Sequence, residues 1–261
     1  VESGNPDYEA EMGMLYTSGT TGNPKGVLLT HHNMLFIVAS VMQALRIDPG
    51  DRSLSFLPWA HSFGQLAEVH ALIQSGYSTG LVADVDEIVD DMALVKPTIF
   101  FAVPRVYNRI YDRLNTQIRE KPTVIQNLFK AGLNRAKRER EGETLGFLDS
   151  LILTLARKII FRKILDRFGG RLRLAVSGAS ALSSDVAEFV NDLGIMVLEA
   201  YGLSENAAAL TGNLPHARKF GSVGRPFPGV RIEIDRDVEG SKDEDGEAVA
   251  YGHNIMKGYH N

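Results

Sequence analysis

Hydrophobic residues occur in short runs that alternate with longer amphipathic stretches along most of the 261-residue chain. The runs at residues 12–16, 53–57 and 98–103 predict buried strands, whereas residues 31–45 and 84–94 have helical spacing. Proline or glycine turn signals close most of these segments. Repeated strand–helix units of this kind favour an α/β fold, with a mostly parallel sheet flanked by helices.

Further elements follow the same pattern. Strands are predicted at residues 27–30, 77–82, 172–176 and 195–198, and a helix at 66–73. Thr30 and Ser183 are expected to cap the helices that they precede. The second of these helices carries an apolar face formed by Val186, Phe189, Val190 and Leu193.

A long segment, residues 105–167, is predicted to be almost entirely helical. Its later part has one apolar stripe at spacings of three and four residues, formed by Leu148, Leu151, Ile152, Leu155 and Ile159. After residue 221 the pattern changes to short strands at 230–234 and 247–250. We therefore expect an α/β core over residues 1–220 and a smaller β subdomain over 221–261.

Composition excludes several classes of chemistry and leaves the fold prediction unchanged. The chain has no cysteine, which excludes disulfides, zinc–thiolate sites and a covalent thioester on this chain. No apolar run approaches the roughly 20 residues that span a bilayer, and residues 1–12 contain no secretory signal. These features favour a cytoplasmic protein. Both termini are expected to be cuts within a longer chain.

Charge is concentrated in one segment. Residues 130–173 contain twelve Lys or Arg against five Asp or Glu, although the whole chain carries a net charge of −4. This basic helical block is either a solvated helical face or a surface for anionic lipid or a phosphate-bearing cosubstrate, and peripheral membrane association is one expectation. Aromatic residues are not interleaved with the basic ones, so nucleic acid is not expected as a partner. Homo-oligomerisation is left open.

The most informative motif is the stretch YTSGTTGNPKG at residues 16–26. It contains three glycines, four hydroxyls and one cation, namely Gly19, Gly22, Gly26, Thr17, Ser18, Thr20, Thr21 and Lys25. Glycines allow a tight turn, and backbone N–H groups with hydroxyls suit a polyphosphate. A flexible polar turn would explain the same composition. A P-loop is excluded because Pro24 precedes Lys25 and Gly26 follows it.

This stretch closely resembles the signature loop of the adenylate-forming superfamily, [Y/F]-T-S-G-[S/T]-T-G-x-P-K-G, at every position. The superfamily includes acyl-CoA synthetases, luciferases and the adenylation domains of peptide synthetases. The resemblance implies that residues 17–22 and Lys25 hold the β- and γ-phosphates of ATP, and that Lys25 acts on the leaving pyrophosphate.

Three downstream motifs resemble further signatures of the superfamily, in the same order. LPWAH at 57–61 implies that His61 donates a hydrogen bond to the substrate carboxylate or the α-phosphate. SGASAL at 177–182 resembles the adenine-binding segment, with Gly178, Ala179 and Ser180 as the implied contacts. Ser180 and Ala181 stand where Ala-Pro is usual. If neither motif binds a ligand, His61 is an ordinary loop histidine and residues 177–182 form a plain β–α turn.

The third motif is AYGLSE at residues 200–205. The resemblance implies nucleotide contacts through Ala200, Tyr201, Gly202, Leu203 and Ser204, with Tyr201 stacked on adenine and Ser204 at the α-phosphate. Glu205 is the implied Mg²⁺ ligand, paired with the Thr17 hydroxyl. Hard oxygen ligands of this kind suit Mg²⁺. A glutamate after a serine is otherwise often just the capped start of a helix.

Two final segments also match the superfamily, namely GSVGRP at residues 221–226 and the stretch from DGE at 245–247 to KGY at 257–259. They are expected to form β structure rather than to take part in the reaction. Tyr251 and His253 depart from the usual residues there. The long helical segment followed by RFGGRLR looks like the long-chain fatty acyl-CoA synthetase branch. An apolar acyl tunnel is expected around residues 59–66 and 98–103.

The resemblance implies ATP-dependent activation of a fatty acid to an acyl-adenylate and then to acyl-CoA, with Mg²⁺ and coenzyme A as cosubstrate. The family's ribose-binding aspartate and the lysine of its mobile C-terminal domain are expected to lie beyond Asn261. The chain is therefore expected to bind nucleotide but to ligate poorly. The alternatives are an adenylation domain that loads a carrier protein and a non-catalytic nucleotide- or acyl-binding module.

Overall fold

The computed structural model describes residues 7–17, 23–238 and 245–260. The α-helices in these ranges are α1 His31–Leu45, α2 Ser62–Gly64, α3 Ala71–Ser75, α4 Ile88–Val95, α5 Pro104–Arg119, α6 Thr123–Arg140, α7 Phe147–Ala156, α8 Arg162–Arg167 and α9 Ser184–Asp192. A π-helical segment, Gln65–His70, joins α2 to α3, and a second, Arg157–Phe161, joins α7 to α8.

The strands are short and are spread over the whole chain. They are β1 Glu11–Thr17, β2 Lys25–Thr30, β3 Arg52–Ser55, β4 Ser78–Leu81, β5 Ile99–Ala102, β6 Leu174–Ser177, β7 Met196–Tyr201, β8 Thr211–Gly212, β9 Arg225–Pro226, β10 Arg231–Asp235, β11 Glu247–Tyr251 and β12 Gly258–His260. Every strand predicted from hydrophobic runs is present, with ends that shift by no more than three residues.

The main sheet has the order β5-β6-β7-β8-β9, in which β5, β6 and β7 are parallel and the last two strands are antiparallel. β3 and β4 form a parallel pair. This pair lies beside β5, because the N–H of Thr98, the residue before β5, donates to the carbonyl of Arg52 in β3. β12 and β1 flank β2 in an antiparallel sheet, and β10 with β11 forms a hairpin. The α/β fold is thus confirmed, with a sheet that is parallel over β5, β6 and β7 and mixed as a whole.

The boundary expected at residue 220 is crossed by strand pairing. β9 pairs with β8, and β12 pairs with β2, so each joins a sheet formed by the earlier part of the chain. In the described ranges, β10 and β11 pair with each other alone. The division into a core and a β subdomain stays a prediction.

The central strands are buried on both faces. Ala175 of β6 packs into the apolar core under α5–α9, whereas its neighbours Leu174 and Val176 pack into the core under α1. Successive side chains of a strand point to opposite faces, so a strand between two helical layers is apolar at every position. This explains why the central strands appear as uninterrupted apolar runs.

The long helical segment is confirmed, with breaks at residues 120–122 and 141–146. Its apolar stripe, however, does not face the core: Leu148 is 71% exposed and Leu151 48% exposed. The buried positions of this region are instead Leu153, Ala156 and Ile160. The reason is the close approach of α6, where a Cβ built on Gly132 would lie 2.4 Å from the Cβ of Ala156.

The basic helical block is largely neutralised by local ion pairs. Seven of its twelve cations pair with carboxylates, namely Arg135, Lys137, Arg138, Arg140, Arg157, Arg162 and Arg173. Their partners come from the same or neighbouring helices, from the break at residues 141–146 and from the loop before β3. Much of the positive charge of residues 130–173 is therefore neutralised by ion pairs within the protein. No helix within the described ranges is long and apolar enough to cross a membrane.

The two predicted helix caps behave differently. Thr30 accepts a hydrogen bond from the Asn33 N–H, and the Asn33 side chain accepts in return from the Thr30 N–H. Ser183 occupies the capping position of α9, but its side chain makes no capping bond. The cap predicted at residue 183 is therefore wrong in its chemistry, although the helix begins where expected.

This difference gives a matched pair of variants. Thr30→Ala is expected to lower the free energy of unfolding by about 1 kcal/mol, because it leaves an N–H at the helix start without its partner. Ser183→Ala is expected to change it by less than about 0.5 kcal/mol. Urea unfolding followed by circular dichroism measures both changes. Equal losses in the two variants would contradict the role assigned to the Thr30 hydroxyl.

Candidate nucleotide-binding site

Segments distant in the sequence meet around one open cavity of about 440 Å³. Its lining contains eight of the residues singled out from the sequence, namely Thr17, Lys25, His61, Ala179, Gly202, Leu203, Ser204 and Glu205. Ser62, Phe63, Ala208 and Tyr259 complete the lining. The cavity lies within the range of 300–1,000 Å³ that is typical of small-molecule sites.

The two ends of the glycine- and hydroxyl-rich loop are fixed by strand pairing. Thr17, the last residue of β1, stands opposite Lys25, the first residue of β2. Both side chains line the cavity, and the Lys25 Nζ lies 5.3 Å from the centre of the Tyr259 ring, a cation–π contact. Ser18, Gly19, Thr20, Thr21 and Gly22, which were predicted to hold phosphates, lie outside the described residues.

His61 lies at the start of α2 with a defined ring orientation. Its Nδ1 accepts a hydrogen bond from the Phe63 N–H at 3.2 Å. A neutral imidazole that accepts at Nδ1 carries its proton on Nε2. A neutral His61 would thus be a hydrogen-bond donor at Nε2, and the role expected for it stays a prediction.

The turn after β6 brings its backbone close to the cavity. A Cβ built on Gly178 would lie 3.1 Å from the Phe63 ring, so only glycine fits without displacing that ring. The next residue, Ala179, has φ of 70°, and Ala208 across the cavity has φ of 79°. Left-handed backbone costs an alanine roughly 1–2 kcal/mol. Backbone strain of this kind clusters at functional sites.

The loop after β7 forms the floor of the cavity. Its chain folds back tightly, since a Cβ on Gly202 would lie 2.1 Å from the Ala208 carbonyl oxygen. The C-terminal segment fixes this loop from outside: the Asn254 amide donates to the Ala209 carbonyl, and the Met256 N–H donates to the Glu205 carbonyl. Residues far apart in the sequence therefore determine the position of Glu205.

Tyr259 was missed as a site residue, because its segment was expected to form β structure only. β12 does pair with β2, but the Tyr259 hydroxyl donates to a carboxylate oxygen of Glu205 at 2.9 Å. This hydrogen bond raises the pKa of Tyr259. One tyrosine thus contacts both the cation and the carboxylate of the cavity. No sequence signal indicates it, since its partner lies 54 residues earlier.

Oxygen ligands for a divalent cation are present in the cavity. The Glu205 carboxylate and the hydroxyls of Thr17 and Ser204 line the same space, and the Ser204 hydroxyl lies 3.3 Å from that of Ser62. In the part of the chain that is described, no group of three or more His, Asp or Glu side chains could hold a metal by itself. The donor set fits Mg²⁺, which takes one or two protein carboxylates together with phosphate oxygens and waters.

Four predicted nucleotide contacts lie apart from the cavity lining. Gly178 and Ala200 line a small adjoining space of about 30 Å³ beside Phe63. Ser180 is exposed, and the Tyr201 ring is 37% exposed at the end of β7. Of the described residues, those expected at phosphate and metal therefore line one cavity. Of those expected at adenine, Gly178 and Ala200 line the adjoining space.

Comparison with known proteins identifies the family of this chain. The family model described as AMP-binding enzyme matches residues 3–260. Long chain acyl-CoA synthetase 7, peroxisomal, of Arabidopsis thaliana is 36% identical over 257 residues, which cover 94% of this chain and 35% of the relative. Long-chain-fatty-acid–CoA ligase 1 of Cavia porcellus is 34% identical over 256 residues, with coverage of 94% and 35%.

Solved structures show the same fold. ATP-bound MatB from Rhodopseudomonas palustris matches with a TM-score of 0.68 and 25% identity, over 97% of this chain and 42% of that structure. The chain thus spans less than half the length of the relatives described here. The family match over nearly the whole chain, the shared fold and the cavity lined by the signature residues lead to one conclusion: this chain belongs to the AMP-binding enzyme family.

Proposed function

We propose that this chain forms the nucleotide- and acyl-binding part of a fatty acid–CoA ligase. The observation that carries the proposal is the single cavity in which Lys25, His61 and Glu205 meet from three separate segments. Such an enzyme joins a carboxylate to the α-phosphorus of ATP, and pyrophosphate leaves. The thiol of coenzyme A then attacks the acyl-adenylate carbonyl, and AMP leaves.

The side chains of the cavity support particular roles in the first step. A carboxylate is already ionised at neutral pH, so no general base is required. His61, with its proton on Nε2, suits donation to the carboxylate or the α-phosphate. Lys25 suits the developing charge on pyrophosphate. Catalysis would then come from positioning and charge stabilisation rather than from a covalent enzyme intermediate.

Mg²⁺, when bound with nucleotide, supplies charge neutralisation of the phosphates. Glu205 and the Thr17 hydroxyl would hold it. The Tyr259 hydroxyl, which donates to Glu205, would keep that carboxylate oriented toward the cavity. The contacts proposed for Ser18–Gly22 with the β- and γ-phosphates and for Tyr201 with adenine complete the nucleotide site.

A groove of about 750 Å³ supports the choice of an acyl substrate. It is lined mainly by apolar side chains from the loop after β3, from α4 and from α5, including Phe56, Leu57, Val103, Val106 and Ile110. Its loop wall, residues 56–58, leads directly to His61. Peripheral membrane contact through the basic helical block is a further proposal. Lys158 and Lys163 favour it, since neither has a carboxylate partner within the described ranges.

Equilibrium binding of ATP with Mg²⁺ tests the nucleotide part. Lys25→Ala is expected to weaken binding about 10- to 100-fold, because a charge-assisted hydrogen bond contributes roughly 1.5–3 kcal/mol. Glu205→Gln is expected to reduce the dependence of binding on Mg²⁺. Lys130→Ala, an exposed lysine on α6, is the matched control and should bind as the wild type does.

Isothermal titration calorimetry gives these affinities directly. Absence of ATP binding by the wild type, or equal affinity of Lys25→Ala and Lys130→Ala, would overturn the proposal. ATP–pyrophosphate exchange with a panel of fatty acids, measured on a protein that spans the full length of the relatives, separates the alternatives. Exchange without acylation of coenzyme A would favour an enzyme that loads a carrier protein, and binding without any exchange would favour a non-catalytic module.

A further inference from the structure

A buried glutamate outside every motif described above contacts the loop that carries His61. Glu68 lies in the π-helical segment Gln65–His70 and is 1% exposed. Its two oxygens accept from the Ser55 hydroxyl at 2.5 Å and from the N–H groups of Phe56 and Leu57 at 3.1 Å. The Trp59 indole N–H lies 3.3 Å from the same carboxylate.

These donors are consecutive or nearly consecutive in one loop. Residues 55–59 connect β3 to α2, and the loop continues to His61, whose N–H donates to the Pro58 carbonyl at 3.0 Å. The same carbonyl lies close to α2, since a Cβ built on Gly64 would lie 2.3 Å from the Pro58 carbonyl oxygen. The loop is therefore held at one end by Glu68 and at the other by close contact with α2.

Filling space in the core does not by itself require a carboxylate at residue 68. Burial raises the pKa of Glu68, and the hydrogen bonds from Ser55, Leu57, Phe56 and Trp59 oppose that effect. Within the described ranges no cation pairs with it. An apolar side chain would fill the same space without this desolvation cost. Only a carboxylate, however, offers two oxygens to four donors at once.

We propose that Glu68 is a positioning residue, which fixes the loop of residues 55–61 and thereby sets the place of His61 in the cavity. The same contacts would fix Phe56 and Leu57, which form a wall of the acyl groove. The inference rests on the proposed function, because it concerns His61 in the nucleotide cavity and the wall of the groove at Phe56 and Leu57.

Trp59 makes the inference testable, because it is the single tryptophan of the chain and contacts Glu68 directly. Glu68→Gln replaces one acceptor oxygen by an N–H₂ donor, and Ser55→Ala removes the hydroxyl. Both variants are expected to shift the Trp59 emission and the NMR resonances of the His61 ring. Both should also weaken binding of a dodecanoyl-sulfamoyl-adenosine, a stable acyl-adenylate mimic, by about tenfold.

Ser53→Ala is the matched control. Ser53 is equally buried in β3, but its hydroxyl donates to Thr79 and makes no contact with Glu68. It should leave emission, resonances and affinity unchanged. Affinity is measured well below the melting temperature of each variant, with circular dichroism as a check of the fold, so that a loss of stability does not count as weaker binding.

Three results are distinguishable. Unchanged Trp59 emission and His61 resonances in folded Glu68→Gln would overturn the inference. A shifted Trp59 with unchanged His61 resonances and unchanged affinity would also overturn it, because Glu68 would then be only structural. If the wild type binds no mimic, the proposed function fails, and the two spectroscopic signals still decide whether Glu68 positions His61.

Discussion

Gly202→Ala is expected to lower nucleotide affinity about 100-fold, which corresponds to about 3 kcal/mol. The added Cβ would lie 2.1 Å from the Ala208 carbonyl oxygen and 2.6 Å from the Ala209 Cα. These are backbone atoms, held by the bonds from Leu210 N–H to the Tyr201 carbonyl and from Ala208 N–H to the Leu203 carbonyl. The loop must therefore move as a whole, and it forms the floor of the cavity.

Gly13→Ala is the control for this variant. A Cβ on Gly13, in β1, meets no atom within 4 Å. Its stability should stay the same or rise by up to about 1 kcal/mol, because alanine restricts the unfolded chain. Calorimetric titration with ATP and Mg²⁺, on samples with native circular dichroism, measures the difference. A folded Gly202→Ala variant with wild-type affinity would place the nucleotide outside this cavity.

The largest effect on stability is expected from Arg173→Met, which should lower the free energy of unfolding by about 3 kcal/mol. The Arg173 guanidinium donates to both oxygens of Asp51, a carboxylate only 5% exposed, and to the Arg46 carbonyl. The Thr98 hydroxyl completes this network. Loss of the cation leaves the buried Asp51 charge without its ion-pair partner. Arg162→Met, the control, removes an exposed ion pair and should lower the free energy of unfolding by less than about 1 kcal/mol.

The pH dependence of this contribution follows from the pKa of Asp51. Burial alone would raise that pKa, but the bonds from Arg173 and Thr98 hold it below its ordinary value. A carboxyl whose folded-state pKa is depressed stabilises the fold above its unfolded pKa and loses that contribution as the pH falls through the folded value. The stability gap between wild type and Arg173→Met should therefore be full at pH 7 and shrink below about pH 4. Urea unfolding at several pH values measures the gap, and a gap independent of pH would contradict the assignment to Asp51.

Local signals predicted the elements well, because short-range physics decides them. Helix α1 begins and ends at the predicted residues, since the Thr30 cap and the turn around residues 48–51 act within a few positions. The buried face of α7, in contrast, was not predicted correctly. Leu148, Leu151 and Leu155 have helical spacing, but which face of a helix is buried depends on the neighbouring helix, and α6 covers Leu153 and Ala156 instead.

The site was predicted only as far as contiguous motifs extend. Thr17, Lys25, His61 and Glu205 lie in three short motifs, and the structure brings them to one cavity. Their roles stay predictions. Tyr259 and Glu68 were missed because neither belongs to a chemical motif, and each acquires its place through a partner brought near by the fold.

By itself, then, the sequence determined the α/β class, most of the strands along the chain and most of the polar residues around the cavity. These follow from hydrophobic period, turn chemistry and contiguous motifs, all of which act over a few residues. The tertiary structure alone decided the burial of Glu68, the contact of Tyr259 with Glu205 and the ion pairs that neutralise the basic helical block. Each of these depends on contacts between elements distant in the chain, and such contacts exist only once the sheet and its two helical layers have packed.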